Sequence, residues 1–276
     1  MSISLTAVQQ TDFDELVKAE YRSTGFLLRD AVRTKSDITG SSVEFRKVDQ
    51  VISVPTAYLA AVSIQDPDYT KVSCLIQKYT TPTAVDTVQE LTVNFDAKME
   101  NAMLVGQGMG RRSDQIIIDA ITADPGDTIV NGGTNMNYAK FTQIYEYFED
   151  HAVPKGERWL ALSASNVRSL MADQQFVSTF YTENRILDRG YFLEYLGINV
   201  VTIPQMTEGG LAKTGNIRTA LAWHKMSTGM AIGHDFRTEI NYMPERTSYL
   251  VNGIFSAGAK VIDNRGVIAI ACDESV

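Results

Sequence analysis

The sequence predicts an α+β protein, and three patterns predict it. One apolar stripe at helical spacing runs far longer than an ordinary domain needs, β-rich runs lie on both sides of it, and helices alternate with strands in the middle of the chain. The chain has 276 residues, 44% of them hydrophobic and 21% charged, which is enough to bury a core without disulfides or metal. With 25 Lys and Arg against 33 Asp and Glu, the formal charge is −8. Such a chain lacks the basic face with which a dedicated DNA or membrane-surface binder displaces counterions. No apolar stretch approaches the roughly 18 residues that span a bilayer, and residues 1–15 lack the layout of a signal peptide. The expectation is a protein made and kept in water, with Cys74 and Cys272 as buried thiols in a reducing compartment.

Taken in order, residues 1–42 are polar with scattered Leu5, Val8, Phe13, Leu16, Val17, Phe26, Leu27 and Leu28. They carry too little apolar area for a core of their own, so they read as an arm that lies along something else. Residues 43–85 are strand-like: Val43, Phe45 and Val48 alternate loosely with charges, Val51, Ile52, Ser53 and Val54 follow, and a third run covers 71–79. A turn at Asp66-Pro67-Asp68 makes this a long hairpin, marginal unless another subunit supports it. In residues 86–126 the stripe Val88, Leu91, Phe95, Met99, Ala102, Val105, Met109, Ile116, Ile117 and Ala120 predicts a helix of up to about 55 Å. Gly106, Gly108 and Gly110 mark a kink or a close packing contact, Ser113-Asp114 a restart, and Pro125-Gly126 the end.

Tyr138, Phe141, Ile144, Tyr145 and Phe148 form an amphipathic helix capped by Asn135 or Asn137. A buried strand at 159–162, a helix start at Ser163, and strands at 198–203 and 217–223 complete an α+β or α/β unit. The end of the chain is β again, at 238–243, 248–255, 258–262 and 266–272. The last two are joined by Asp263-Asn264-Arg265, as in a meander.

Catalysis finds no foothold. In Gly209-Gly210-Leu211-Ala212-Lys213-Thr214-Gly215, Ala212 stands where a phosphate loop needs glycine. Gly106-Gln107-Gly108-Met109-Gly110 lacks the spacing and the preceding strand of a dinucleotide fingerprint. Glu146, Glu149, Asp150 and His151 fall at a helix end and read as a solvated face, as do Arg111 and Arg112. Neither an HExxH nor a GxSxG motif occurs. No catalytic, cofactor or metal site is expected.

The serial order of arm, long hairpin, very long helix, α+β unit and closing strands resembles the Hong Kong 97-type major capsid proteins of tailed double-stranded DNA phages. Local runs are similar too: Gly110-Arg111-Arg112-Ser113-Asp114-Gln115-Ile116-Ile117, Arg158-Trp159-Leu160-Ala161-Leu162-Ser163, Leu187 with Gly190, Tyr195-Leu196-Gly197-Ile198-Asn199-Val200, and Gly258-Ala259-Lys260-Val261-Ile262-Asp263. The resemblance implies an N-terminal arm (1–42), an extended hairpin loop (43–85), the spine helix of a peripheral domain (86–126), an axial domain (127–236) and strands returning to a peripheral β-sheet (237–276). It implies no enzyme, no cofactor and no membrane. The function it implies is self-assembly, through pentamers and hexamers, into an icosahedral shell enclosing phage DNA, located in the virion after assembly in the host cytoplasm.

The partners it implies are other copies of the chain, a portal, decoration proteins and non-specific contact with packaged DNA. The chain has no room for a fused scaffolding segment ahead of the arm, so a separate scaffold or a short arm doing that work is expected. The residues expected at subunit interfaces are Phe13, Phe26, Phe45, Val48, Ile52, Val54, Tyr58, Leu75 and Tyr79. An isopeptide cross-link is not assignable, since Lys71 and Lys78 read as solvated hairpin lysines. Two alternatives stand beside the capsid: an encapsulin-type compartment around protein cargo, and a cytosolic α/β enzyme with its site at His224, His234 and Asp235.

Overall fold

The computed structural model describes residues 25–61, 64–88, 97–173 and 194–275. Phe13 and the rest of residues 1–24, Leu91, Phe95 and the 187–190 run lie outside them. The long helix is α1 (Ala97–Ala123), unbroken through Gly106, Gly108 and Gly110, about 40 Å long at 1.5 Å per residue. The glycine-rich stretch makes no kink, and its close contact is at Gly110, whose carbonyl carbon a Cβ on Gly25 would meet at 2.2 Å; a Cβ on Gly106 would meet nothing within 4 Å and one on Gly108 would make an ordinary 3.5 Å contact with the Thr81 methyl. Ser113 and Asp114 are no restart. Both are buried in the helix interior, because the second half of α1 runs between two sheets and hides Ile116, Ile117, Ile118 and Ile121 all round.

The first sheet has four strands in the order β1-β11-β12-β4, namely β1 (Arg33–Lys35), β4 (Gln77–Asp86), β11 (Thr228–Met243) and β12 (Ser248–Val261). β1 runs parallel to β11 and the other pairs are antiparallel. α1 lies across one face, and Gly253 on β12 leaves the space that Val105 and Met109 of α1 fill.

The second sheet has seven strands. β5 (Asp127–Ile129), β13 (Val267–Asp273), β10 (Ile217–His224), β6 (Arg158–Ser163), β8 (Ile198–Ile203) and β7 (Glu194–Tyr195) follow in that order, and β9 (Lys213–Thr214) also pairs with β10. Side-chain alternation splits the core across this sheet. Ala161, Leu221, Trp223, Val267 and Ala269 join the α1 side, whereas Leu160, Leu162, Ala220, Ala222, Ile268, Ile270 and Cys272 face α2 (Tyr138–Asp150) and α3 (Ala164–Ala172). Asn137 caps α2 by accepting from the Lys140 amide, and Ser163 caps α3 by accepting from the Asn166 amide.

Three expectations change. The closing strands are not a meander: β13 leaves β12 for the seven-stranded sheet, because it is apolar on both faces and needs cover on both. The hairpin is shorter than 43–85. Only β2 (Ser42–Val48) and β3 (Tyr69–Leu75) pair, residues 51–54 take no regular structure, and β4 belongs to the four-stranded sheet. The end of the presumed arm also finds its cover at home, since Leu28, Ala31 and Val32 are buried in the α1 core and the Trp223 indole N–H donates to Ala31 O at 2.9 Å.

Candidate assembly surfaces

The β2–β3 hairpin is a two-stranded sheet, and its period of two decides which side chains it can offer. Val43, Phe45 and Lys47, opposite Cys74, Val72 and Thr70, face the rest of the chain, while Glu44, Arg46 and Val48, opposite Ser73, Lys71 and Tyr69, face away. Phe45 is therefore spent inside the subunit: it is fully buried with Cys74, Ala231 and Ile262, its ring lies on Gly229, where a Cβ would come within 2.7 Å, and the Lys35 ammonium sits 4.8 Å above it. Lys47 reaches Asp263 at 3.0 Å, and Leu75 O packs on Gly258. Burial pushes the Asp263 carboxyl up, but hydrogen bonds from Arg265 and Lys47 together outweigh it and hold the group below its ordinary range. These contacts clamp the hairpin base.

Beyond the base the chain is bare. Among the described residues of 49–68 every one is exposed except Pro67, which is half-buried. Ile52 and Val54 are largely exposed, and Tyr58 and Leu59 project completely from a tight turn closed by Ala60 N–H to Ala57 O, with Leu59 in the left-handed region at φ 63°. Val48 and Leu75 are exposed on the outer hairpin face. Tyr79 is half-buried, stacked on Phe255 at 5.2 Å under the Arg112 guanidinium. Phe26 is partly exposed, edge-on to Phe236 at 4.7 Å.

Sequence reasoning missed Val51, Leu59, Ile64 and Tyr69, exposed on the same projection, because it read the whole region as a hairpin and not as a bare loop beyond a short one. It also missed a second apolar surface. Met99 and Met103 of α1 are exposed at i, i+4 spacing. Ile240 and Tyr242 of β11 pair with Val251 and Tyr249, and Lys98 of α1 stands 3.6 Å over the Tyr249 ring, so these strand residues share the sheet face on which α1 lies. The signal was present in the sequence: the stripe of α1 is wider at its start than one core contact uses.

The groups that suggested chemistry are occupied structurally. Lys213 donates to Glu274 at 2.7 Å, Arg112 faces Glu208 at 3.7 Å, and Glu149 takes Arg158 at 3.0 Å. His224 is buried, which lowers its pKa, and its Nδ1 accepts from the Met226 amide; Asp235 pairs with Arg29 at 3.3 Å. Among the described residues no group of three or more His, Cys, Asp or Glu is placed to hold a metal. The strongest electrostatic cluster is structural: the Glu274 carboxylate accepts from Arg218 Nε at 2.7 Å, Lys213 Nζ at 2.7 Å and Ser163 Oγ at 2.8 Å. Burial would raise this carboxyl, but the three donors outweigh burial and bring it to about 2.

A family model for phage capsid proteins matches residues 5–274. The chain belongs to the phage capsid protein family. It is a major capsid protein, a structural subunit of an icosahedral shell, with the Hong Kong 97-type fold. The head of the Helicobacter pylori bacteriophage KHP40 is similar at TM-score 0.76 and 12% identity over 88% of both chains. The capsid of the cyanophage P-SCSP1u is similar at TM-score 0.74 and 14% identity, over 98% of this chain and 94% of that one. A chain of Mycobacterium phage Che8 gives 0.67 and 17%, over 95% and 91%. No curated protein sequence matches. Neither the compartment nor the enzyme reading draws support from these likenesses.

Proposed function

We propose that this capsid protein closes its shell through pentamers and hexamers around double-stranded phage DNA, and that residues 49–61 and Ile64 lie on a neighbouring copy. The observation that carries the reading is the run of large apolar side chains on that projection, Val51, Ile52, Val54, Tyr58, Leu59 and Ile64, all exposed in the single chain. Burying one such side chain contributes about 1.5–3 kcal/mol, so a chain that leaves six in water gains their worth only on association. Met99, Met103, Ile240 and Tyr242 offer apolar area of the same kind as the receiving surface, and Val48, Leu75, Tyr79 and Phe26 extend the contact. Phe13 remains an interface residue of this reading. Phe45 does not, because its area is already used.

The domains proposed are an arm, the extended loop around β2–β3, a peripheral unit of α1 with the four-stranded sheet, and an axial unit built on the seven-stranded sheet. A scaffold, a portal, decoration proteins and assembly in the host cytoplasm complete the reading. Its test is a double variant, Ile52→Ser with Tyr58→Ser, purified alongside the parent. The parent is expected to form closed shells in electron micrographs and to protect DNA from nuclease. The variant is expected to keep the parent's circular dichroism spectrum while remaining as free subunits or small oligomers. Normal shells from the variant overturn the assignment of the loop, and shells holding protein instead of DNA overturn the genome.

A further inference from the structure

Asp114 lies in the middle of α1, 3% exposed, and its carboxylate is met by backbone amides from 86 and 87 residues away. The Leu27 and Leu28 N–H groups donate to Oδ2 and Oδ1, each at 3.1 Å. The Phe26 amide adds a further contact to the carboxylate while also reaching Gly110 O at 3.4 Å. Successive amides converge because Gly25 and Phe26 are left-handed, at φ 76° and 61°, and Leu28 then turns right-handed at φ −105°, ψ −8°. The turn aims consecutive N–H groups to one side, where they surround the carboxylate as in an anion-binding concavity.

The left-handed turn is strained at Phe26, since a bulky side chain rarely adopts positive φ. It also explains the glycine before it: a Cβ on Gly25 would stand 2.2 Å from Gly110 C. Leu28 begins the 3-10 turn Arg29–Ala31 without any side-chain cap. Asp114 instead holds, from across the fold, the amides of Leu27 and Leu28 that lead into that turn. Burial, the largest influence, raises the Asp114 carboxyl above its ordinary range, and the amides of Leu28, Leu27 and Phe26 pull it back. Downstream, the same segment is held by the Trp223–Ala31 hydrogen bond and by β1 on β11, so it straps α1 to both sheets.

We propose that Asp114 is a positioning residue for assembly: its carboxylate holds the turn at residues 25–28, left-handed at Gly25 and Phe26, on α1 and so fixes the point at which the N-terminal segment joins the subunit. The assembly consequence rests on the shell reading above, while the clasp itself does not.

Two substitutions at one site separate the clasp from ordinary packing. Phe26→Gly and Phe26→Pro both remove the ring from Phe236, but only glycine can hold the left-handed turn; proline is fixed near φ −65° and has no amide hydrogen. Hydrogen exchange of the peptide covering 25–31 in the folded free subunit is the first readout, and closed shells counted by electron microscopy the second. Phe26→Gly is expected to exchange within roughly twofold of the parent, whereas Phe26→Pro and Asp114→Asn exchange roughly tenfold faster or more; shells are counted for Asp114→Asn, which keeps the Phe26 ring, and fewer closed shells are expected from it. Equal exchange in the glycine and proline variants overturns the clasp, as does parent-like exchange in Asp114→Asn. Should Asp114→Asn fail to fold, the Phe26 pair decides; should the parent form no shells, exchange still decides the clasp, and it is the shell reading that fails.

Discussion

Glu274 makes the sharpest test of how the seven-stranded sheet is held together. Its side chain is 8% exposed and that of Arg218 4%, so Glu274→Gln leaves a buried guanidinium without its counter-charge. A carboxyl moved from an ordinary 4.5 to about 2 corresponds to about 3 kcal/mol in favour of the folded state at neutral pH. Lys213 is one-third exposed, so solvent screening trims this to about 2 kcal/mol. In a chain of this size the variant should melt roughly 4–8 °C below the parent at pH 7.

The folded pKa is depressed, so the stabilisation is complete above the unfolded value of 4.5 and is lost as pH falls towards 2. The gap between parent and variant should therefore close over that window. Calorimetry of the unassembled subunit at neutral and acid pH measures both quantities. Equal melting at pH 7, or a gap that widens in acid, refutes the reasoning.

Two further substitutions probe how the projecting parts are anchored. Gly258→Ala places a Cβ 2.0 Å from Leu75 O, which is backbone and must move, so the hairpin base should lift and expose Cys74. Thiol labelling of Cys74 in the native subunit is expected to rise while Cys272, fully buried with its pKa pushed up by burial to about 11, stays protected; unchanged labelling refutes the clamp. Trp223→Phe removes the donor to Ala31 O and leaves a buried carbonyl unpaired, at a cost of about 1–3 kcal/mol. Denaturant unfolding measures it, and an unchanged midpoint would show that this carbonyl does not need its partner.

Some of this was legible from local pattern. The α1 stripe from Val105 onward, the Asn137 and Ser163 caps and the strands at 159–162, 198–203 and 217–223 are set by period and capping chemistry within a few residues, and the structure places them where the sequence does. The bare loop was legible in kind, because Ile52, Val54 and Tyr58 have no amphipathic partner nearby.

What the chain could not announce was which partner each segment would find, since β-pairing and burial depend on residues far apart in sequence. Phe45 looked like an interface residue until Gly229 offered a flat seat inside the same subunit. Strand β13 looked like the last turn of a meander until the other sheet supplied cover for both its faces. Asp114 looked like a helix start, and only the tertiary structure brought the amides of residues 26–28 to its carboxylate. Local spacing, read from the sequence, determined the elements; long-range packing, where a buried group must find a partner or leave, decided which surfaces remain for other copies.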